Sequence, residues 1–580
     1  MVILGRQSYF VLFVCLAIQL LSRKLVLSFV YVPPDARIGH QSSCESELLT
    51  PSSYRTTELY LDGKGMAGQT FNKHLVGDVI RALQPRNLKK AAEALQANLK
   101  GPRKIVMNDA EIKELSRTAP SWDDLSKLLK KQQTKEEINF RAKLSNGEIH
   151  SPLASMRLFG SDTKPRTTFY RDHASWCPYC QKVWIALEEK QVSYEIIKVD
   201  MNCYAGENGK PADFLRIQPT GTLPCAIIQD DDSQSRVISE SDQIIDVIDS
   251  MGRIGTPKLR PVNSDLLERM TFLCDNGQYN SLERKLYREW LWYLTGKRKP
   301  VEYRQRFEFQ LAQVNKALGE TEGPYFMGKE LSLADIKFIP FVERMVASIA
   351  YFKGWNIREE DRRENINTWL IAMESRPSYR ATKSDYYTHS RALPPQLAAG
   401  CVSESTSDAK RMQTDIDALS EAGYTKAYPL DWKEPGWDQY AQGESARREA
   451  AERILNNYVK IVRFASRAAG TPGIPAASAP LADPRASINE AVVPIVDTFL
   501  RHVVYNLLQP YSRSSVSSVG LAESLKLIAS SQDKENVIEV VVECLNYLRA
   551  RVGVPRDMTY PAATEFRLEI LSVVNLVSAS

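Results

Sequence analysis

Apolar and polar positions alternate along this chain in three distinct ways. Between residues 155 and 255 the apolar runs are short and mixed in type. Met156-Arg157-Leu158-Phe159 and Ser193 to Asp200 read as strands, and between them Val183-Trp184-Ile185-Ala186-Leu187 carries a helical pattern. Thr220 to Ile228 reads as a further strand opened by Pro224, and Ile238 to Ile245 as polar caps before an amphipathic helix. Beyond 262 the pattern is helical throughout. Ser332 and Asp335 predict a capping box, with Leu331 and Ile336 closing an apolar staple. From about 400 to the end, three stripes predict a helix bundle: Ile454, Tyr458, Ile461, Val462 and Ala465; then Val492, Val496, Phe499 and Val503; then Val537, Val541, Cys544, Leu545 and Leu548. A Pro/Ala/Gly-rich linker, Gly470 to Pro484, separates the first two stripes.

The region before 155 divides in two. Arg6 precedes an uncharged apolar run from Ser8 to Leu21, of signal-peptide length and short for a membrane span, and Leu25 to Pro34 is again apolar. The Ser/Thr-rich stretch from Asp35 to Thr57 completes a presequence over 1–57. Residues 58–154 predict a helical prefix packed on the unit that follows. One helix covers Leu75 to Leu99, broken at Pro85, and another Ser121 to Gln133, with Trp122, Leu125, Leu128 and Leu129 on one face. Lys127, Lys130, Lys131 and Lys135 read as a solvated face.

Length and charge narrow the classes. At 580 residues the chain exceeds one core, and about three or four modules are expected. A net charge of +5 is small for that length and argues against a nucleic-acid role. The nine cysteines lack the spacing of a disulfide-stapled secreted domain.

The chemistry lies in Trp176-Cys177-Pro178-Tyr179-Cys180. A cysteine at a helix start meets the positive end of the peptide dipole and unpaired N–H groups, both of which favour thiolate. A second cysteine one turn on can attack a mixed disulfide and release the first. A zinc site would need another ligand pair; the remaining cysteines are scattered and the six histidines show no finger-like spacing, so no metal is expected.

With the strand–helix–strand frame, Leu223-Pro224 and Glu240-Ser241, this motif resembles the glutathione transferase superfamily, in its cysteine-dependent branch (omega, lambda and dehydroascorbate reductase types), over about residues 155 to 390. The resemblance implies an α+β fold: a thioredoxin-like domain at 155–255, an all-helical transferase C-terminal domain at 262–390, and a helical extension at 400–580. It makes Cys177 the catalytic cysteine and glutathione the cosubstrate. Lys210 would contact glutathione, Leu223 before a cis Pro224 would pair with its cysteinyl part, and Glu240-Ser241 would hold its γ-glutamyl end. Cys180 departs from most such members and is similar to a glutaredoxin, leaving one-thiol and two-thiol mechanisms open. A hydrophobic second-substrate pocket lined by Tyr287, Trp290 and Trp292 is expected between the domains, with core packing as their alternative role; His502 reads as structural or exposed. The implied activity is glutathione-dependent thiol transfer or dehydroascorbate-type reduction, on a disulfide or small electrophile. Conjugation and a non-catalytic carrier are the rival readings. A homodimer, and a protein partner for the extension, stay open. The presequence resembles the two-part plastid presequences of algae, with Leu27-Ser28-Phe29 near the cleavage point; secretion or a signal anchor is the alternative.

Overall fold

The computed structural model describes residues 102–200, 210–229, 234–275, 280–358, 363–397, 400–419, 443–471, 486–510 and 519–580. The presequence, the helix expected over Leu75 to Leu99 and most of the Gly470 to Pro484 linker lie outside these residues.

Three short helices open the described chain: α1 (Asp109–Arg117), α2 (Trp122–Gln132) and α3 (Lys135–Ser145). Each starts on a side chain that accepts a backbone N–H, from Asn108, Ser121 and Thr134 respectively, which satisfies donors a helix start leaves unpaired. A five-stranded sheet follows, formed by β1 (Met156–Arg157), β2 (Thr167–Asp172), β3 (Tyr194–Val199), β4 (Cys225–Gln229) and β5 (Ser235–Ile238) in the order β1-β3-β2-β4-β5. Only β2 and β3 run parallel, with Phe169 opposite Ile196; the crossover between them is α4 (Pro178–Glu189). The β4–β5 hairpin is antiparallel. Helices α5 (Ala212–Ile217) and α6 (Ser241–Met251) complete the thioredoxin-like domain.

The second domain is helical: α7 (Ser264–Met270), continued by a π-turn at Thr271–Asp275, then α8 (Leu282–Thr295), α9 (Pro300–Gly319), α10 (Leu333–Lys353), α11 (Glu364–Glu374), α12 (Pro377–Arg380), α13 (Tyr386–Gln396) and α14 (Ser407–Ala418). One apolar core runs through both domains, joining Phe169, Val183 and Ile244 to Trp290, Phe338 and Trp369. The α10 cap forms as expected, and its chemistry is spent on structure. The fully buried Asp335 carboxylate accepts the Ser332 N–H at 2.8 Å, the Ser332 hydroxyl at 2.7 Å, the Phe326 N–H at 3.1 Å and the Trp369 indole N–H at 2.9 Å.

The C-terminal helices α15 (Glu444–Leu455), α16 (Tyr458–Ala465), α17 (Val493–Leu507), α18 (Val519–Ser530), α19 (Lys534–Arg549) and α20 (Tyr560–Ser578) build a separate core around Val496, Phe499, Val541 and Phe566. The three expected stripes face this core, though Ile461 is only partly buried. One expectation is corrected here. The described part of the prefix, residues 102–154, does not pack chiefly on the transferase unit: Leu115, Leu125 and Leu129 belong to the core of the C-terminal bundle. A buried stripe records that a helix is covered, not by what. Arg501 of α17 fixes the choice, donating to the carbonyls of Ser116, Ala119 and Pro120 at 2.9–3.0 Å. The Trp122 indole N–H reaches Asp497 at 2.8 Å, and its ring stacks on Tyr458 at 4.5 Å. Gly520 passes so close to Thr118 that a Cβ would lie 2.2 Å from its carbonyl oxygen. Lys127, Lys130, Lys131 and Lys135 are exposed, a solvated face.

His502 is buried within this junction, its Nε2 2.8 Å from the Ser524 hydroxyl and 3.3 Å from that of Thr118. Burial, with Arg501 adding to it, pushes its imidazole down to about 4. In the unfolded chain a histidine titrates near 6.5, so between these values the unfolded state binds more protons. Stability is therefore whole above about pH 6.5 and falls as pH drops to about 4, by roughly 3 kcal/mol. Urea unfolding of wild type and His502→Gln across that range checks this: the variant should show a shallower pH slope, and an equal slope refutes it.

Candidate active site

The site begins where β2 ends. Asp172 is fully buried, and its Oδ2 accepts the Trp176 N–H at 2.5 Å, folding residues 172–176 into a tight loop with Ser175 at φ 55°. Arg171 pins the same loop, donating to the Asp172 carbonyl at 2.8 Å and the Ser175 hydroxyl at 2.9 Å. From the helical domain, Arg344 donates to the Trp176 carbonyl at 3.0 Å and to Gln181 Oε1 at 2.9 Å. The cysteine loop is thus held from both domains.

Cys177 is the N-cap of α4 and Pro178 its first residue, a position where a missing N–H costs nothing. Cys177 Sγ accepts the Cys180 N–H at 3.4 Å and lies 3.9 Å from the Leu223 carbonyl oxygen. The two sulfurs differ sharply in setting. Cys177 is partly exposed, whereas Cys180 is 2% exposed and packs with Val183, Trp184 and Ala226. Burial raises the Cys180 thiol well above its usual range, with the Cys177 sulfur and the Asp172 carboxylate adding to the effect. Cys177 is therefore the sulfur a substrate meets first.

Beside Cys177 opens a cleft of about 700 Å³ between the domains, lined by Tyr179, Leu223, Pro224, Glu240, Ser241 and Arg284 among others. The Leu223–Pro224 bond is cis. Glu240 is the N-cap of α6, but its side chain makes no capping bond, which leaves the carboxylate to the cleft. Lys210 is placed differently from the other expected contacts. Its ammonium bonds the Gly221 carbonyl and sits 5.6 Å from the Phe214 ring, at the edge of the loop leading to Leu223. Partial burial lowers it.

The expected hydrophobic wall is not there. Trp290 is a core residue whose N–H bonds Ser348 at 3.0 Å, and Trp292, 49% exposed, stacks on Tyr303. Tyr287 packs against Phe341 and is covered by the Arg284 guanidinium, 4.9 Å from its ring. Trp290 takes the core-packing role weighed for it above, while Trp292 lies on the surface against Tyr303. Arg284 also donates to the Tyr179 hydroxyl at 3.2 Å, so the cleft's wall is polar.

Its floor is ionic and was not legible in the sequence. Asp242 accepts from Lys182 of α4 and, at 2.8 Å, from Lys337 of α10; Lys337 also reaches Asp275 at 3.0 Å, and Asp275 pairs with Arg260 at 2.6 Å. Burial works against the Asp242 charge, but the two ammonium groups outweigh it and hold the carboxyl well below its usual range. Burial also lowers Lys182, the more enclosed partner; a charged cluster at neutral pH is the consistent reading, because each Lys keeps a carboxylate within bonding distance. Asp242→Ala would leave two enclosed ammonium groups facing each other. It is expected to cost roughly 2–3 kcal/mol, read as a lowered urea midpoint, and an unchanged midpoint would show the cluster contributes nothing.

Asp172 is the other residue the sequence reading passed over. One of its carboxylate oxygens and the two sulfurs lie within 4.8 Å of one another. These three donors fall one short of a closed zinc site. A polar residue closing a buried strand just before the cysteine motif was the available signal.

Residues 176–251 match the family Glutathione S-transferase, N-terminal domain, and residues 295–382 match Glutathione S-transferase, C-terminal domain. The chain is 27% identical over 208 residues to the probable cytosolic glutathione S-transferase DHAR1 of Oryza sativa subsp. japonica, covering 36% of this chain and 84% of that one. It is 23% identical to the chloroplastic glutathione S-transferase DHAR3 of Arabidopsis thaliana, covering 36% and 69%. Among solved structures, the dehydroascorbate reductase of Chlamydomonas reinhardtii aligns at 22% identity over 37% of this chain and 91% of that one, with a TM-score of 0.29. The chain carries both domains of a glutathione S-transferase in order, with helices added on either side. It is a glutathione transferase-like enzyme.

Proposed function

We propose that this enzyme is a glutathione-dependent thiol oxidoreductase. The observation that carries the reading is the pairing of an accessible sulfur on a helix start with an enclosed sulfur one turn on, beside a cleft lined by Leu223, Glu240 and Ser241. The Cys177 thiolate attacks a glutathione disulfide or glutathionylated substrate. The new bond joins Cys177 to glutathione sulfur, and the other thiol leaves with the electron pair. In this reading Glu240 and Ser241 take the γ-glutamyl end and Leu223 the cysteinyl part. Lys210 exchanges its Gly221 carbonyl for the glycyl carboxylate. The relatives named as glutathione S-transferases support a glutathione-linked reaction, and the polar cleft favours protein mixed disulfides or dehydroascorbate over large apolar electrophiles. We further propose that residues 1–57 direct the chain to a plastid, which a fluorescent fusion of that segment tests.

Intact-mass spectrometry of the chain with oxidised glutathione, followed by peptide mapping, tests the function. One glutathione on Cys177, or a Cys177–Cys180 disulfide, is expected. Neither species would end the redox reading and put conjugation or a carrier role first.

A further inference from the structure

Cys180 poses a chemical difficulty. To release glutathione from Cys177 it must attack as thiolate, yet it is enclosed by Val183, Trp184 and Ala226. Burial holds its proton on, and the nearby Asp172 charge strengthens that hold. Something must take the proton as the sulfur attacks.

The structure supplies one group. Asp172 is fully buried at the end of β2, and its two oxygens have different fates. Oδ2 holds the Trp176 N–H. Oδ1 is buried and has no hydrogen-bond partner among the described residues. A buried carboxylate oxygen normally finds a donor, and this one has its lone pairs open to a proton. With both sulfurs within 4.8 Å of the carboxylate, the Cys180 proton is within reach directly after a small side-chain rotation, or through one water.

We propose that Asp172 is the proton acceptor for Cys180, making this a two-thiol enzyme in which Cys180 expels glutathione from Cys177. The proposal rests on the thiol-transfer reading above. The Cys180 proton passes to the Asp172 carboxylate while the Cys180 sulfur attacks Cys177. The bond to glutathione breaks, glutathione leaves as thiolate with the electron pair, and it takes up a proton, which Asp172 can return. The product is a Cys177–Cys180 disulfide. Two further glutathione thiols reduce it: the first re-forms the mixed disulfide and the second departs with it as glutathione disulfide. The titratable and charged groups facing this proton path are Arg171 on the same strand, His173 in the loop, Lys210 before α5 and Cys177 itself. The open anion and the thiol restrain each other: while Asp172 is ionised it disfavours a Cys180 thiolate, and once it has taken the proton that penalty is gone.

The test separates the two half-reactions. The full chain is mixed with oxidised glutathione, quenched with acid at set times and weighed, in wild type, Asp172→Asn and Cys180→Ser. Asparagine keeps an oxygen for the Trp176 N–H but accepts no proton. Expected is a glutathione mixed disulfide on Cys177 of Asp172→Asn whose release is slowed about 10²-fold near neutral pH. The gap should narrow as pH rises toward the thiol range, where hydroxide does the work. Cys180→Ser should hold its glutathione throughout. Release from Asp172→Asn at the wild-type rate across the pH range overturns the proposal. If Asp172→Asn takes up no glutathione, the wild-type profile decides. An internal acceptor makes release rise by clearly less than tenfold per pH unit around neutrality, whereas an unaided thiol gives the full rise of about tenfold; the second profile overturns the proposal. No uptake by wild type means the thiol-transfer reading has failed, a distinct result.

Discussion

Cys177→Ser is expected to lower glutathione-dependent disulfide reduction by at least about 10³-fold, to the level of the uncatalysed exchange. The reason is the identity of the atom more than its acidity. Thiol–disulfide exchange proceeds through a sulfur–sulfur bond to the attacking residue, and an oxygen forms no counterpart of it. Cys180 cannot take over. It is almost fully enclosed, its thiol is raised by burial, and its place inside the first turn of α4 keeps it from the cleft. The other described cysteines do not compensate either: burial pushes Cys225 up to about 11, Cys401 and Cys544 to about 12, and Cys274, which lines the cleft, higher still. The measurement is the steady-state rate with glutathione and a glutathionylated peptide. A variant retaining more than about a tenth of wild-type activity would remove Cys177 from the chemistry.

Arg567→Ala is expected to cost about 3–5 kcal/mol. Arg567 lies on α20 with no exposure, and its guanidinium meets Asp385 at 2.5 Å, the Thr388 hydroxyl at 2.8 Å and the Val552 carbonyl at 2.6 Å. Burial would raise the Asp385 carboxyl, but the guanidinium outweighs it and holds it low. Removing the arginine leaves that carboxylate enclosed and uncompensated at the N-cap of α13. Arg567→Met with Asp385→Asn should recover much of the loss, because it removes both charges and keeps an oxygen for the Thr388 N–H. Chemical unfolding of wild type, single and double variants checks the pair. A single variant within about 1 kcal/mol of wild type would show that the carboxylate finds another partner. Limited proteolysis should then show whether the C-terminal bundle is released from α13 before the transferase domains open.

Residues whose role is set by immediate neighbours were legible in the sequence. Cys177 before Pro178, Leu223 before Pro224, and Glu240-Ser241 before an amphipathic run all announce helix starts or turns through local chemistry. The Ser332–Asp335 cap was readable for the same reason. What failed was pairing across the chain. Lys182 and Lys337 sit on helices where a lysine ordinarily means solvent, and nothing near either points to Asp242. Trp290 and Trp292 share a helix, but which ring faces the core depends on α10 and α9 packing around it. The prefix helices showed an apolar stripe that would fit any apolar partner. Arg501, which reads as a surface charge until its carbonyl partners are known, and Asp497, which takes the Trp122 indole N–H, direct them to the bundle.

Neighbouring residues on α10 meet at Gln181, which donates to Glu343 at 2.9 Å and accepts from Arg344 at 2.9 Å, and each reaches on to a different part of the fold. Arg344 reaches the cysteine loop through Trp176 and Gln181. Glu343 accepts the Ser384 N–H at 2.8 Å and contacts His389 at 2.7 Å, and the Ser384 hydroxyl in turn bonds the Val554 carbonyl of the C-terminal extension. A turn of this helix large enough to re-aim the redox loop therefore also pulls on the seat of the extension. The two ends of the molecule are geared through one helical step, and a fragment cut back to the transferase domains would run with half of that gear missing.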